Sequence, residues 1–368
     1  MKNILYLIHT TEIGGAEKIC LTIARRMKDK YNILVGLLKE GWLFNELKNS
    51  RIATKIIPSG RAFDLKLIFS LIEIIKNNKI DIVHSHLLDM NFYSSVASRI
   101  TGVPHIATEH GDIYSEPDKK LLIKARVLSW LSDRIVFVSE FSRKAFFKIS
   151  PAYARKAVVI YNGVDLKEYE IPVDIKRKRA EIGIKEDEVV IGNVGNLHSF
   201  RKGHVYMLRA AQKILKIFPK SVFIIIGGGE SEEALKKEAD NLGITEKVKF
   251  LGFRYDVKDL IKIMDIFVLP SLNEALPVTI IEAMVNRIPV VSTNVGGIPE
   301  LIEDGIDGLL IPPADSDALA NKIIHLLKNN DLAHKLVESG YEKAKELFNM
   351  EFMMNKYEKL YLNLLGKN

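Results

Sequence analysis

The chain has 368 residues, of which 47% are hydrophobic and 27% are charged. This balance is typical of a globular protein with enough apolar residues for two cores, and it excludes an extensively disordered chain. The net charge is +7, from 53 basic and 46 acidic residues, which favours anionic ligands or an anionic membrane surface. Because no zinc-finger or aromatic RNA-binding motif is present, we expect no nucleic-acid partner.

The first residues, MKNILYLIHTTEIGG, form a short apolar run that is typical of a buried strand rather than a signal peptide. No apolar run approaches the roughly 20 residues that a membrane-spanning helix needs. The single cysteine, Cys20, excludes an internal disulfide framework and a cysteine-based zinc site. We therefore expect a cytoplasmic protein that does not span a membrane.

Short apolar segments then alternate with longer segments of helical periodicity along nearly the whole chain. The predicted strands are NILYLIH, YNILVGLL, DIVHSH, HIATEH, RIVFVS and AVVIYNG, followed by VVIGNVG, VFIIIGGG, VKFLGF, IFVLPS, PVVSTNVGG and GLLIPP. Strands that are apolar at nearly every position and separated by helices indicate parallel sheets covered on both faces. The sequence predicts an α/β protein with two doubly wound, Rossmann-like domains.

A polar stretch from residue 165 to residue 188 separates the two series of strands, and it is typical of a linker followed by a solvated helix. We predict an N-terminal domain over residues 1–164 and a second domain over 165–345. Residues 346–368 contain a strongly amphipathic final helix, which we expect to pack on the first domain.

Each half opens with a strand, a loop and a helix, and ligands bind near such loops in doubly wound sheets. In the first half, Gly14 and Gly15 permit backbone amides to approach a phosphate or a sugar, although a tight turn alone also explains them. In the second half, Arg201 and Lys202 precede a helix, where a lysine is unfavourable for the helix dipole. Lys202 is thus either an anion ligand or a solvated surface residue. A dehydrogenase is not supported, because neither glycine-rich loop has the dinucleotide fingerprint.

Nine histidines raise the question of a metal site. His84 and His86 are the closest pair, but no third ligand follows at a plausible spacing, so we expect no metal. His110 comes at the end of a predicted strand, where a hydrogen-bond donor or acceptor for a ligand would lie.

The segment PSLNEALPVTIIEAM carries two acids, Glu274 and Glu282. Pro277 fits the first turn of a helix, which places Glu274 on the preceding loop and Glu282 about 7–8 Å further along. A carboxylate in so apolar a helix is costly without a partner, so Glu282 is predicted to bind a ligand. The amides near four further residues offer an anion site between the acids: Ala275, Leu276, Val278 and Thr279.

These residues resemble the signature of retaining glycosyltransferases of family 4. The most specific part is EALPVTIIEAM with PVVSTNVGGIPELI and GIDGLLIPP, and GGAE, EHG, VSEFS, YNGVD, GNVGNL with RKG, and IIGGGE follow in the family's order. The resemblance runs from about residue 3 to residue 345. It implies the GT-B fold, in which two Rossmann-like domains face a cleft and a C-terminal helix crosses back to the first domain.

The resemblance also implies roles for individual residues. Glu282 would bind the ribose of a nucleotide-sugar donor, and Glu274 would hold the transferred sugar. Lys202 would contact the diphosphate, helped by Gly15, and His110 would reach the sugar. The amides after Glu274 would complete the phosphate site, with no metal or other cofactor.

The chain departs from the family pattern at three positions. Asn196 stands where an arginine is common, so that Arg201 compensates or the diphosphate is held less tightly. Ala275 stands where glycine is frequent, and a left-handed backbone there would cost about 1–2 kcal/mol. The usual glycine before PVV is replaced around Arg287.

The predicted activity is transfer of a sugar from a nucleotide-diphosphate sugar to an acceptor hydroxyl with retention, in cell-surface polysaccharide or glycolipid assembly. A UDP-sugar is the favoured donor and a GDP-sugar the alternative. Other readings are a nucleotide-sugar epimerase, a phosphorylase, for which no pyridoxal lysine is identifiable, or a binding protein without turnover.

Residues 118–134 mix Lys and Arg with Leu, Ile, Val and Trp130, as a surface-seeking helix does, although ordinary packing also explains them. If this helix touches anionic lipid at the inner face of the cell membrane, a lipid-linked acceptor follows; a saccharide acceptor is the alternative.

Overall fold

The computed structural model describes residues 1–58, 64–111, 119–198 and 200–366. Residue 118 of the predicted surface-seeking helix and residues 367–368 lie outside the described residues. So does residue 199 of the loop that carries Arg201 and Lys202, which we call the lysine loop (residues 195–203). The chain divides into two compact units. Unit 1 is Met1–Asn162 with Glu351–Asn368, and unit 2 is Gly163–Met350.

The strands are β1 (Asn3–Ile8), β2 (Asn32–Leu37), β3 (Ala53–Ile56), β4 (Ile82–His86), β5 (His105–Glu109), β6 (Arg134–Phe137), β7 (Ala157–Val159), β8 (Val189–Val194), β9 (Ser221–Ile226), β10 (Val248–Phe250), β11 (Ile266–Leu269), β12 (Val290–Thr293) and β13 (Leu309–Ile311). The helices are α1 (Gly15–Met27), α2 (Trp42–Asn49), α3 (Leu65–Asn77), α4 (Leu88–Thr101), α5 (Lys119–Leu131), α6 (Glu140–Ile149), α7 (Leu166–Tyr169), α8 (Ile175–Glu181), α9 (His204–Leu215), α10 (Glu232–Asn241), α11 (Val257–Lys262), α12 (Val278–Val285), α13 (Ile298–Leu301), α14 (Ser316–Lys328), α15 (Asn330–Leu347) and α16 (Met350–Leu365).

Each unit contains one parallel sheet within the described ranges. Unit 1 has seven strands in the order β3-β2-β1-β4-β5-β6-β7, and unit 2 has six in the order β10-β9-β8-β11-β12-β13. Both orders reverse beside the first strand of the unit, between β1 and β4 and between β8 and β11. Such reversals define doubly wound sheets and leave room for a ligand at the carboxyl ends of the strands. The predicted α/β class with two Rossmann-like sheets is confirmed.

The central strands are buried on both faces, as their apolar sequences predict, whereas the edge strand β3 is largely exposed. Phe137 of β6 is fully buried and packs on Phe146 of α6, with ring centroids 5.0 Å apart. In unit 2, Phe223 of β9 and Val268 of β11 are likewise fully buried. Truncation of such a phenylalanine to alanine costs about 3–5 kcal/mol, because it leaves a cavity.

Helix α16 lies within unit 1 and contributes polar groups to its core. The hydroxyl groups of Tyr361 and Tyr6 are 3.0 Å apart, and the Tyr361 hydroxyl is 2.7 Å from Nδ1 of His84. Nε2 of His84 is 2.7 Å from Oγ1 of Thr108. Because each of these buried groups has a partner, the network holds α16 against the sheet without an unsatisfied polar atom.

The polar stretch between the two series of strands contains α7 and α8. Helix α8 begins after Asp174, whose side chain accepts a hydrogen bond from the amide of Arg177 at 3.0 Å. None of the residues of α8 is buried. Across the described ranges, no helix has both the length and the apolar character that crossing a bilayer requires.

Candidate functional site

Lys202 ends a 3₁₀ turn at the carboxyl end of β8, where the chain turns into α9. Gly203 follows with φ at 70°, and a Cβ atom there would lie 1.8 Å from the carbonyl oxygen of Pro270. Only glycine permits this approach. The carbonyl of Arg201 accepts a hydrogen bond from the amide of Leu272 at 2.7 Å. The lysine loop is therefore held directly against the segment that follows β11.

Glu274 lies on that segment, and the structure brings it into contact with Lys202. Nζ of Lys202 is 2.6 Å from Oε1 of Glu274, and Oγ of Ser271 donates to the same oxygen at 2.7 Å. The hydroxyl of Thr293 in turn donates to the carbonyl of Ser271 at 2.5 Å. The Glu274 carboxylate is thus oriented by two donors, and its side chain is only 10% exposed.

The turn after β12 fixes the backbone of Glu274. Gly296 has φ at 58°, and a Cβ atom there would lie 1.8 Å from the carbonyl oxygen of Glu274. The amide of Gly297 donates to that carbonyl at 3.0 Å. From the sequence, these glycines had no predicted role beyond their place in the family signature. Two consecutive glycines after a predicted strand were the available signal.

Glu282 is the fifth residue of α12 and is 5% exposed, as the apolar sequence of this helix predicts. The hydroxyl of Tyr169 donates to Oε1 of Glu282 at 3.0 Å, whereas Oε2 has no hydrogen-bond partner among the described residues. Pro277 is the residue that precedes α12, not a member of its first turn as predicted. Tyr169 was not predicted from the sequence, because nothing local connects it to an acid 113 positions away.

The other predicted donor ligands of unit 2 flank these acids. Ala275 and Leu276 are buried, and the partly buried Val278 begins α12. Ala275 is not among the described residues with a positive φ, so alanine causes no left-handed strain there. Asn196 and Arg201 are exposed on the loop after β8.

Arg287, the third departure from the family pattern, does occupy a left-handed position, with φ at 57°. Its guanidinium pairs with Glu338 and lies 4.0 Å from the ring centroid of Tyr341. These contacts offset part of the cost of about 1–2 kcal/mol that a side chain has in this conformation.

Gly14 and Gly15 lie in unit 1, at the start of α1. A Cβ atom at Gly14 would lie 2.4 Å from Oε2 of Glu17, so the end of that side chain would have to shift. A Cβ atom at Gly15 would have no atom within 4 Å among the described residues. The exposed Gly15 therefore leaves open space at the helix start.

His110 follows β5, also in unit 1. Its Nε2 is 2.8 Å from Nδ1 of His86, and the two rings stack with centroids 5.1 Å apart. Burial lowers the pKa of His110 to about 3, so the imidazole is neutral near pH 7. Its Nδ1 has no partner among the described residues and is the nitrogen left for a ligand.

The remaining candidates for metal or thiol chemistry have structural partners. Both ring nitrogens of His84 are engaged, by Tyr361 and Thr108. Within the described ranges, no group of three or more His, Cys, Asp or Glu side chains could hold a metal ion. Cys20 is fully buried, and burial raises the pKa of its thiol, which keeps it uncharged.

Comparison with known proteins identifies the family of the chain. Residues 13–168 match the family described as Glycosyltransferase Family 4, and residues 174–343 match the family described as Glycosyl transferases group 1. The chain is 30% identical over 316 residues to the UDP-Gal:alpha-D-GlcNAc-diphosphoundecaprenol alpha-1,3-galactosyltransferase of Escherichia coli, covering 82% of this chain and 80% of that protein. It is 27% identical over 317 residues to the N-acetyl-alpha-D-glucosaminyl L-malate synthase of Bacillus anthracis, with the same coverage of 82% and 80%.

Among solved structures, the chain is similar to Anabaena Alr3699/HepE in complex with UDP-glucose. The TM-score is 0.89 at 26% sequence identity, over 98% of this chain and 99% of that chain. The match extends over both units. The chain belongs to the family 4 glycosyltransferases and has their GT-B fold.

Proposed function

We propose that this glycosyltransferase transfers a sugar from a nucleoside-diphosphate sugar to an acceptor hydroxyl with retention at the anomeric carbon. The observation that carries the proposal is the pair of acids in unit 2. Glu274 is held beside the Lys202 ammonium, and the buried Glu282 keeps one carboxylate oxygen without a partner among the described residues. Lys202 provides a cation for a diphosphate, and Glu282 provides a buried hydrogen-bond acceptor for a hydroxyl group.

The donor binds along the loops and the helix start of unit 2. Oε2 of Glu282 accepts a hydrogen bond from a ribose hydroxyl, and Lys202 contacts the diphosphate. The backbone amide of Val278 adds a donor for the phosphates, because the first amides of a helix have no partner within it, and the amides of Ala275 and Leu276 add donors on the preceding loop. Arg201 lies three positions before the start of α9 and supplies the charge that Asn196 lacks.

Glu274 holds the transferred sugar. The roles of His110 and Gly15 in unit 1 stay predictions from the family resemblance. The bond between the anomeric carbon and the diphosphate oxygen breaks, and the acceptor oxygen bonds to the same face of that carbon. The acceptor proton passes to the departing phosphate. Lys202 stabilises the developing charge, an effect worth about 1.5–3 kcal/mol for a charged hydrogen bond.

A UDP-sugar is the preferred donor, and a GDP-sugar is the alternative. Two relatives support uridine: the Escherichia coli enzyme is named for UDP-Gal, and the Anabaena protein binds UDP-glucose. In this assignment unit 2 binds the donor and unit 1 binds the acceptor.

Helix α5 supports a lipid-linked acceptor. It buries Ala125 and Leu128 in unit 1, but Ile123 and Trp130 are 60% and 63% exposed. The exposed Lys119 begins the helix, and further basic residues follow it. A basic helix with exposed apolar side chains suits the anionic inner face of the cell membrane. The Escherichia coli relative, named for a diphosphoundecaprenol-linked acceptor, agrees with a role in cell-surface polysaccharide or glycolipid assembly.

The proposal is tested by a thermal-shift panel of uridine, guanosine, adenosine and thymidine diphosphates and their sugars. We expect UDP and one UDP-sugar to raise the melting temperature most. Glu282→Ala should weaken UDP binding by about 10- to 100-fold, while Glu246→Ala, at an exposed acid of the same unit, should not. Equal UDP affinity in wild type and Glu282→Ala would exclude the ribose assignment. No nucleotide release with any sugar donor and acceptor would indicate a binding protein instead.

A further inference from the structure

Tyr169 is a buried tyrosine whose hydroxyl group is committed to one acceptor. It is the last residue of α7 and is 7% exposed, and its hydroxyl donates to Oε1 of Glu282 at 3.0 Å. Burial, and then the charge of Glu282, raise the pKa of Tyr169. The phenol is therefore protonated near pH 7 and donates to the carboxylate.

The backbone holds α7 in place independently of α12. The amide of Val164 donates to the carbonyl of Phe348 at 2.9 Å, and the amide of Met350 donates to the carbonyl of Val164 at 2.9 Å. The next residue, Asp165, caps α7 by accepting a hydrogen bond from a first-turn amide. Tyr169 thus reaches Glu282 from an element that is fixed by its own hydrogen bonds.

This contact leaves the two oxygens of Glu282 in different states. Oε1 is occupied by the phenol, and Oε2 is buried without a partner among the described residues. A buried acceptor without a donor is unfavourable, so a ligand hydroxyl that donates to this oxygen is favoured. A carboxylate that is free to rotate about its last torsion can take many orientations, whereas the hydrogen bond from the phenol fixes one orientation.

We propose that Tyr169 is a positioning residue for donor binding, which holds Oε1 of Glu282 so that Oε2 accepts the ribose hydroxyl. The inference rests on the proposed function, in which Glu282 binds the ribose. Its consequence is that the affinity for the nucleotide depends on the Tyr169 hydroxyl only when the ligand has a ribose hydroxyl for Oε2 to accept.

Tyr169→Phe is the appropriate variant, because phenylalanine fills the same volume and removes only the hydroxyl group. The ligands are UDP and 2′,3′-dideoxyuridine diphosphate, measured by calorimetry; if the thermal-shift panel identifies another base, the corresponding pair is used. We expect Tyr169→Phe to weaken UDP binding by about 5- to 20-fold, as the loss of a hydrogen bond to a charged group predicts. Binding of the dideoxy ligand should stay within about twofold of wild type, and so should turnover at saturating donor.

Tyr341→Phe is the matched control in the same unit, because its ring packs on Arg287 and its hydroxyl has no hydrogen-bond partner shown within the described ranges. Equal weakening of both ligands by Tyr169→Phe would show a merely structural role and overturn the inference, as would no weakening of either. Glu282→Ala is measured alongside to separate the two proposals. If it weakens UDP binding but Tyr169→Phe does not, only the role of Tyr169 fails; if it weakens neither ligand, the ribose assignment fails.

Discussion

Nζ of Lys202 and Oε1 of Glu274 are 2.6 Å apart, although 72 positions separate the two residues in the chain. The sequence assigned these side chains to different parts of the donor, the diphosphate and the sugar. In the structure they neutralise one another, with side chains that are 24% and 10% exposed. A bound diphosphate therefore competes with Glu274 for the lysine ammonium.

This competition predicts opposite effects of two alanine variants. Lys202→Ala should weaken UDP binding by about 10- to 100-fold, because a charged hydrogen bond to the diphosphate is lost. Glu274→Ala should leave UDP affinity unchanged or higher, because it releases the lysine, and should lower turnover about 100-fold. Calorimetry and initial rates with the UDP-sugar measure the two quantities. Weaker UDP binding by Glu274→Ala than by Lys202→Ala would contradict the assignment.

Gly296 and Gly243 both have a positive φ, but we expect only a substitution at Gly296 to reduce activity as well as stability. In Gly296→Ala the new Cβ atom meets the Glu274 carbonyl, so the loop that carries Glu274 must move. Turnover should therefore fall at least about 10-fold. Gly243→Ala is the control, because Gly243 has φ at 68° but no atom within 4 Å of the added Cβ among the described residues. Both variants should lose about 1–2 kcal/mol through left-handed strain.

Only Gly296→Ala should reduce turnover measurably. Urea unfolding gives the loss of stability, and steady-state rates give the loss of activity. An equal loss of activity in both variants would indicate that the loop around Glu274 does not depend on Gly296.

The sequence predicted the two sheets because strands buried on both faces carry an apolar residue at nearly every position. It also placed Glu282 correctly within a helix, since a proline and an apolar run mark the start of α12. It did not predict the contact of Tyr169 with Glu282 or that of Lys202 with Glu274. Such contacts depend on the strand order, which brings distant loops together and leaves no local periodicity in the chain.

Four histidines of unit 1 predict a loss of stability at acid pH: His84, His86 and His105 are buried, and His110 is partly buried. Burial lowers the pKa of each, to about 3 for His105 and His110, from an ordinary value of 6.5. Between these values only the unfolded chain takes up a proton. The stability that each neutral histidine contributes is therefore fully present above pH 6.5. It is lost as the pH falls, at about 1.4 kcal/mol per pH unit for each histidine.

Urea unfolding between pH 7.5 and about pH 5, above the range where most carboxylates titrate, measures this slope. His105→Gln should reduce the slope of the unfolding free energy against pH by the contribution of one histidine, whatever its effect on stability at pH 7.5. His334→Gln, at an exposed position of unit 2, should leave the slope as in wild type. A slope that does not change in His105→Gln would show that this histidine does not contribute.

Helix α5 predicts that vesicle binding depends on its exposed apolar side chains. The double variant Ile123→Ser with Trp130→Ser should weaken binding to anionic vesicles at least about 10-fold, because each side chain would otherwise leave water. Ile217→Ser, at a residue of unit 2 that is 51% exposed, is the control. Cosedimentation with anionic and with neutral vesicles measures the effect, and binding that is equal to both would count against a charged membrane surface.

The position of α16 in unit 1 has a consequence for how the protein is made. Tyr357 and Tyr361 are 1% and 0% exposed there, yet they are synthesised after every residue of unit 2. While unit 2 emerges from the ribosome, α16 does not yet cover the face of the unit 1 sheet that includes Tyr6 and His84. Unit 2, which is continuous in the chain, can fold as it is released, whereas unit 1 completes its core only after α16 has been released. A nascent chain that has emerged as far as residue 350 would therefore display a finished second unit and an unfinished first one.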